Sequence, residues 1–355
     1  MDRKKFIKVL CIDFLIALVC VWGFLLYFYI LPRKDKDAGT VILDTREMEG
    51  EGFELPQQGR EGTGPKNQER RSPEQTNTKR RGGPGNGNSN TRSIASDRDA
   101  EQPETAEKEE TELYTISDGT MQVWVKKTRL GTGNNAITYY TADLYLTSIR
   151  QLRTAFALGS YGKNMRESTL EMAEDHQALL AVSGDSYGNS ESGIVVRNGI
   201  LYRSEVGDAE ICVLFYDGTM AVYEPEEFNR LGILERDVWQ VWNFGPSLLE
   251  DGEIKEAFRT TAYLNKENPR CGIGYVAPGH YKFVVVDGRN TGYSKGASMT
   301  EFARIMKDEG CVLAYNLDGG KSSSMVWDGQ YVNRPAGGGR DISDIIYIGK
   351  AGSDE

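Results

Sequence analysis

Two loops hold the residues of this sequence best suited to chemistry. One is Tyr315-Asn316-Leu317-Asp318-Gly319-Gly320-Lys321-Ser322-Ser323-Ser324, and the other is Ser183-Gly184-Asp185-Ser186-Tyr187-Gly188. Each follows a short apolar run, Val312 to Ala314 and Ala178 to Val182, the pattern of a buried strand leading into a polar loop. Polar groups crowded at a strand end need partners or face a pocket. Asp318 and Asp185 are therefore the candidate catalytic carboxylates. A pair of them serves an acetal centre either as acid and base or as nucleophile and acid. Gly319 and Gly320 let the backbone come close to a ligand, and their N–H groups with the Ser322 and Ser323 hydroxyls suit phosphate or sugar oxygens. Asn316, Ser183 and Gly184 complete this candidate binding set. The plainer alternative is that each aspartate is an Asx-turn residue supporting its own loop. That accounts for one such loop more readily than for two.

Three cations accompany the loops. Arg270 opens a strand just before Cys271-Gly272-Ile273-Gly274, and a guanidinium beside glycines can reach an oxyanion in fork geometry. A salt-bridged surface arginine is its alternative. Lys321 lies inside the first loop and Arg340 follows Gly337-Gly338-Gly339; either they add positive charge to a site or they are solvated. The two histidines, His176 and His280, stand in no zinc-like or triad-like setting. Acidic loops can hold a divalent cation through oxygens, but none spells out a calcium motif. The metal is left unknown, and no cofactor is expected.

The elements that must position these residues start at about Leu113. Met121 to Val125 alternates like a half-buried strand, and Ile137 to Leu146 reads as a second. Asn198-Gly199 and Asp217-Gly218 separate apolar runs and predict hairpins, and Pro278-Gly279 separates another pair. Ser298, with Glu301 three residues on and the stripe Phe302, Ile305, Met306, predicts a capped helix ended by Gly310. The fold class expected is α+β, with mixed, largely antiparallel sheets and few helices, over residues 113–355.

Two further segments precede it. Residues 1–33 read as a basic tip and a transmembrane helix, because Val9 to Leu31 is almost wholly apolar and a span needs ~20 residues. A late-cleaved signal peptide is the alternative. The basic residues before the span place the N-terminus in the cytoplasm and the rest outside it, as a single-pass membrane protein. Residues 34–112 are poor in large apolar groups and read as a disordered linker. With Lys+Arg 42 against Asp+Glu 52, the net charge is −10, which argues against a nucleic-acid partner. Five cysteines are present, Cys212, Cys271 and Cys311 of them in the folded part. They allow one disulfide or buried free thiols.

In order along the chain, five stretches resemble the phosphodiester glycosidase family. They are Ala181-Val182-Ser183-Gly184-Asp185-Ser186-Tyr187, Asn243-Phe244-Gly245-Pro246-Ser247-Leu248, Arg270 with Gly272 and Gly274, Val285-Val286-Asp287-Gly288-Arg289 with Gly292-Tyr293-Ser294-Lys295-Gly296, and Asn316 to Ser323. The resemblance covers Ala178 to Gly349. Ser183 stands where the family often has Asn, and Lys321 where a small or variable residue is expected. The resemblance implies hydrolysis between an anomeric carbon and a phosphodiester oxygen. Arg270 would support the leaving phosphate, Ser322 and Ser323 would donate to it, and Asp318 or Asp185 would stabilise the oxocarbenium-like centre. Read with the N-terminal segment, this gives an anchored phosphodiester glycosidase acting on an envelope glycan or exopolysaccharide. The alternative is a phosphoglycan-binding accessory protein without turnover.

Overall fold

A computed structural model describes residues 3–27, 31–34, 41–42, 52–56 and 107–350. The chain divides into two units, Met1–Leu55 with Glu107–Glu355, and Pro56–Ala106. The second unit beyond Pro56 lies outside the described residues, and with it most of the linker expected over 34–112. Near the ends of that stretch, Val41–Ile42 pairs with Ile200 and Leu201, and the first long strand opens at Lys108.

Within the first unit the strands form antiparallel sheets, with few helices. The largest has eight strands, in the order 253–254, 247–250, 313–316, 270–277, 280–286, 137–146, 121–130 and 108–117. A five-stranded sheet runs 330–331, 325–327, 178–183, 344–349 and 152–156. A six-stranded sheet includes 211–215, 238–242, 195–197 and 200–203. Their inner faces share one core. Val123, Val125, Phe283 and Tyr315 come from the first sheet, Leu180, Val182 and Ile346 from the second, and Cys212, Leu214 and Trp242 from the third. Burying large apolar side chains of this kind contributes about 1.5–3 kcal/mol each, so the two strands whose ends carry the loops, 313–316 and 178–183, are anchored in this shared core.

The helix Met299–Asp308 covers the outer face of the large sheet. Ser298 Oγ accepts from the Glu301 N–H at 3.2 Å and Glu301 Oε2 accepts from the Ser298 N–H at 2.8 Å, the reciprocal cap expected from the sequence. The two glycines after Arg270 serve this packing. A Cβ on Gly272 would stand 2.8 Å from Phe302 Cζ, and one on Gly274 would stand 2.3 Å from Cys311 Sγ. Both spacings are well inside contact distance, so the strand carries glycine where the helix and its following turn press on it. Asn198 and Gly199 take φ of 53° and 75°, as a two-residue hairpin turn requires.

One expectation is overturned. The N-terminal helix is Arg3–Leu25, with side chains described from residue 12 onward. Among the described residues no helix is long and apolar enough to cross a membrane. The transmembrane anchor, the attachment to a membrane through it, and the placement of the C-terminal portion outside the cytoplasm are withdrawn. Cys212, Cys271 and Cys311 are buried free thiols, which closes the disulfide alternative for those three.

Candidate active site

The large sheet delivers Asp318 at the end of the strand Leu313–Asn316, and the five-stranded sheet delivers Asp185 at the end of Ala178–Ser183. The backbone joins the two loops. The Asp318 N–H donates to the Gly184 carbonyl at 3.1 Å. Ser183 Oγ donates to the Ser322 carbonyl and accepts from the Ser324 N–H at 3.2 Å. Beneath this seam Cys271 Sγ donates to the Ser183 carbonyl at 3.4 Å.

Asp318 is 6% exposed. Arg340 Nη2 lies 3.1 Å from its Oδ1 and 3.0 Å from its Oδ2, and Ser322 Oγ donates to Oδ2 at 2.8 Å. Arg340 Nε donates to the same Ser322 Oγ at 2.9 Å. Burial pushes the Asp318 carboxyl above its ordinary value; Arg340 and Ser322 pull against that shift, and the nearby Asp185 charge adds to it. The Arg340 side chain is 47% exposed, so one cation spans from a buried carboxylate to solvent.

Asp185 belongs to a second network. Its Oδ2 accepts from the Asn243 N–H at 2.8 Å and lies 3.7 Å from Arg197 Nη2. Its own N–H donates to Asp344 Oδ1 at 2.8 Å. Asp344 Oδ2 accepts from Arg197 Nε at 2.8 Å and lies 2.8 Å from Arg197 Nη2 as an ion pair. Arg197 is 1% exposed and Asp344 fully buried. Such a triad persists only because every charge has a partner. Burial pushes the Asp344 carboxyl up to about 7 against the pull of Arg197, with Asp185 adding to the rise. Gly184 is fixed by space, since a Cβ there would stand 2.7 Å from Asp344 Oδ1.

A cleft of about 520 Å³ opens beside these groups, lined among others by Asp185, Tyr187, Arg203, Asn243, Gly245 and Leu264. Asp318, Arg270 and Arg340 are not part of its wall. Asn316 reaches it indirectly, with Nδ2 donating to the Gly245 carbonyl at 2.7 Å. Asn316 Oδ1 and Ser323 Oγ are buried and lack a hydrogen-bond partner among the described residues. Gly319 and Gly320 form the turn between Asp318 and Ser322, and a Cβ on Gly319 would stand 3.0 Å from the Pro269 carbonyl.

Arg270 is placed differently from an oxyanion fork. Nε donates to the Ala297 carbonyl at 2.9 Å, and Nη2 to the Leu264 and Lys266 carbonyls at 2.6 and 2.7 Å. Burial lowers its pKa to about 10. It clamps the loop that carries Leu264 into the cleft. Lys321 is exposed. His280 pairs with Asp143 at 2.7 Å, and His176 ends the helix Thr169–Asp175. Among the described residues no group of three or more His, Cys, Asp or Glu is arranged to hold a metal ion.

Arg197 and Asp344 escaped the reading of the sequence. Each had a trace there. Arg197 is a charge that ends the apolar run Ile194-Val195-Val196 just before a tight turn, and Asp344 opens an apolar strand.

Comparison with known proteins agrees with the motif reading. Residues 176–349 match the phosphodiester glycosidase family. A SPbeta prophage-derived uncharacterized protein, YomE, of Bacillus subtilis (strain 168) is 32% identical over 196 residues, which is 53% of this chain and 30% of the relative. The chain thus spans less than a third of that relative's length. Among solved structures, the zebrafish N-acetylglucosamine-1-phosphodiester alpha-N-acetylglucosaminidase catalytic domain, auto-inhibited by its pro-peptide, superposes with a TM-score of 0.54 at 20% identity. The match covers 68% of this chain and 88% of that one. A hypothetical protein from Synechocystis superposes with a TM-score of 0.51 at 15% identity, over 66% and 63% of the two chains. These two likenesses concern the fold.

Proposed function

We propose that this chain, whose residues 176–349 form a phosphodiester glycosidase domain, hydrolyses the bond between an anomeric carbon and a phosphodiester oxygen. The observation that carries the reading is the backbone seam between Asp318 and Gly184 at 3.1 Å, which joins the two acid-bearing loops, so that the Asp185 charge is felt at the Asp318 carboxyl. Asp185 lines the cleft. Held by the Asn243 N–H and Arg197 as an acceptor, it serves the anomeric carbon as nucleophile or as base for water. A phosphodiester leaves as a stable anion, so the opposite pole needs positive charge more than a strong acid. Arg340 fills that part, since its guanidinium is fixed by Asp318 and Ser322 at one edge and open to solvent at the other. A preorganised donor of this kind is worth about 10²–10³ in rate. Asp318, with its carboxyl above the ordinary range, is the group able to share a proton with the departing oxygen. Arg270 acts through the loop it clamps. Asn316 Oδ1 could accept from a sugar hydroxyl, and Ser323 Oγ could donate to a sugar or phosphate oxygen.

The setting in an envelope glycan or exopolysaccharide rested on a membrane anchor. Without the anchor, the proposal extends only to the sugar–phosphate bond. The test is release of free reducing sugar from sugar-1-phosphodiesters by the purified chain. Asp185→Asn and Asp318→Asn should each lower kcat/KM by at least about 10²-fold while remaining folded. Full activity in both variants would remove the assignment. Saturable binding of the phosphodiester without sugar release would favour the non-catalytic phosphoglycan-binding reading instead.

A further inference from the structure

Arg289, which closes the stretch Val285-Val286-Asp287-Gly288-Arg289, has an unusual placement. Its φ is 58°, in the left-handed region that a long non-glycine side chain seldom occupies. The turn around it is fixed. A Cβ on the preceding Gly288 would stand 2.7 Å from Gly296 Cα and 2.9 Å from the Pro269 nitrogen. The Arg289 N–H donates to the Lys295 carbonyl at 3.3 Å, and the Asn290 N–H to the Ser294 carbonyl at 3.0 Å. The packing therefore determines where the exposed guanidinium is carried. Nη2 donates to Asn268 Oδ1 at 2.8 Å and lies 3.5 Å from the Tyr263 hydroxyl. It also stands 3.2 Å from where a Cβ on Gly320 would be. Gly320, at a φ of 67°, lets the guanidinium lie directly against the turn that links Asp318 to Ser322.

Charge around that turn is unbalanced. Arg289, Lys321 and Arg340 surround it, and Asp318 is paired with Arg340 alone. Among the described residues no carboxylate is within ion-pair distance of Arg289. The neutral amide of Asn268 holds its position and leaves its charge uncompensated. Ser323 Oγ, buried without a partner, lies 3.8 Å from a Cβ built on Gly319. A buried hydroxyl and an uncompensated guanidinium on one glycine turn suit an oxyanion.

We propose that Arg289 binds a non-bridging oxygen of the substrate's phosphodiester across the Gly319–Gly320 turn, opposite Arg340, and that it selects charged leaving groups over neutral ones. This rests on the sugar-phosphodiester reading of the same site. The two cations would then grip the phosphate from either side, as Arg pairs do when planar donors meet tetrahedral anions.

Arg289→Gly tests the idea with little disturbance, because glycine adopts the same backbone without strain. Arg289→Lys retains the charge. Two measurements are needed: KM and kcat for a sugar-1-phosphodiester and for the matching p-nitrophenyl glycoside, and inorganic phosphate binding by calorimetry. In Arg289→Gly, the expected result is a rise of about tenfold or more in KM for the phosphodiester. The p-nitrophenyl glycoside should be unaffected, phosphate binding should weaken by a similar factor, and Arg289→Lys should recover part of it. Equal losses on both substrates would show that Arg289 merely positions Asn268 and its loop, and would overturn the proposal. So would unchanged phosphate binding. Should the wild-type chain cleave no phosphodiester while Arg289→Gly still weakens phosphate binding, the hydrolase reading fails and the anion site stands.

Discussion

Arg340 Nη2 lies 3.1 Å and 3.0 Å from the two oxygens of Asp318, so a half-exposed cation is shared across both edges of a buried carboxylate. The Arg340 charge offsets part of the burial that raises the Asp318 carboxyl above its ordinary value. Arg340→Ala should therefore push that carboxyl higher. In the pH profile of kcat/KM, the limb set by Asp318 should move to higher pH, and the maximum should fall by about 10²-fold. Arg340→Lys should restore part of the rate and little of the fork geometry. A profile unchanged in position would separate Arg340 from Asp318.

Arg197 is the partner of two buried acids, Asp185 and Asp344. Arg197→Met keeps most of the volume and leaves both carboxylates without their cation. Breaking a buried pair in this way costs about 3–5 kcal/mol, measurable by urea unfolding at neutral pH. Adding Asp344→Asn should recover part of the loss, because one of the stranded charges is gone. A double variant no more stable than the single one would refute the pairing.

The Asp344 carboxyl rises from 3.8 to about 7 on folding. Between those values the folded chain holds a proton that the unfolded chain has released. Stability from this group is therefore greatest at low pH, falls as pH climbs through the window, and is level above about 7. One proton gives a slope of at most ~1.4 kcal/mol per pH unit. Other acids add their own slopes, so the comparison is with Asp344→Asn, which should lack this component between about pH 4 and 7. Parallel stability curves for the two chains would contradict the assignment.

Gly272→Ala should destabilise the fold by about 1–3 kcal/mol, because the added methyl meets Phe302 Cζ at 2.8 Å. Phe302→Leu, itself destabilising, should lessen the cost of the alanine when combined with it. Additive losses in chemical denaturation would show that the clash is relieved elsewhere.

Much of this arrangement could be read from the chain alone, and the misses have physical causes. Asp185 and Asp318 were legible because each follows an apolar run and sits among glycines and hydroxyls. The capped helix was legible because Ser298 and Glu301 make a local, reciprocal bond. The role of Gly272 and Gly274 was not, since the sequence shows absent side chains but not the Phe302 and Cys311 that require the room. The partners of Arg270 were hidden for the same reason, because the carbonyls of Ala297, Leu264 and Lys266 that hold it carry no side-chain signature. Arg197 and Asp344 are 147 residues apart and meet only once two sheets are packed. At the N-terminus, apolar composition suggested a bilayer span, yet among the described residues no helix is long and apolar enough to make one.

The thiol of Cys271 lies fully buried under the joint between the two acid-bearing loops, bonded to the Ser183 carbonyl, with its pKa pushed up to about 12 by that burial. A neutral, sealed sulfur ignores alkylating reagents. Its labelling rate is therefore a clock for the parting of those loops, native to the chain and requiring no engineered probe. Any small molecule that locks them together will announce itself by slowing that clock, before a substrate has ever been identified.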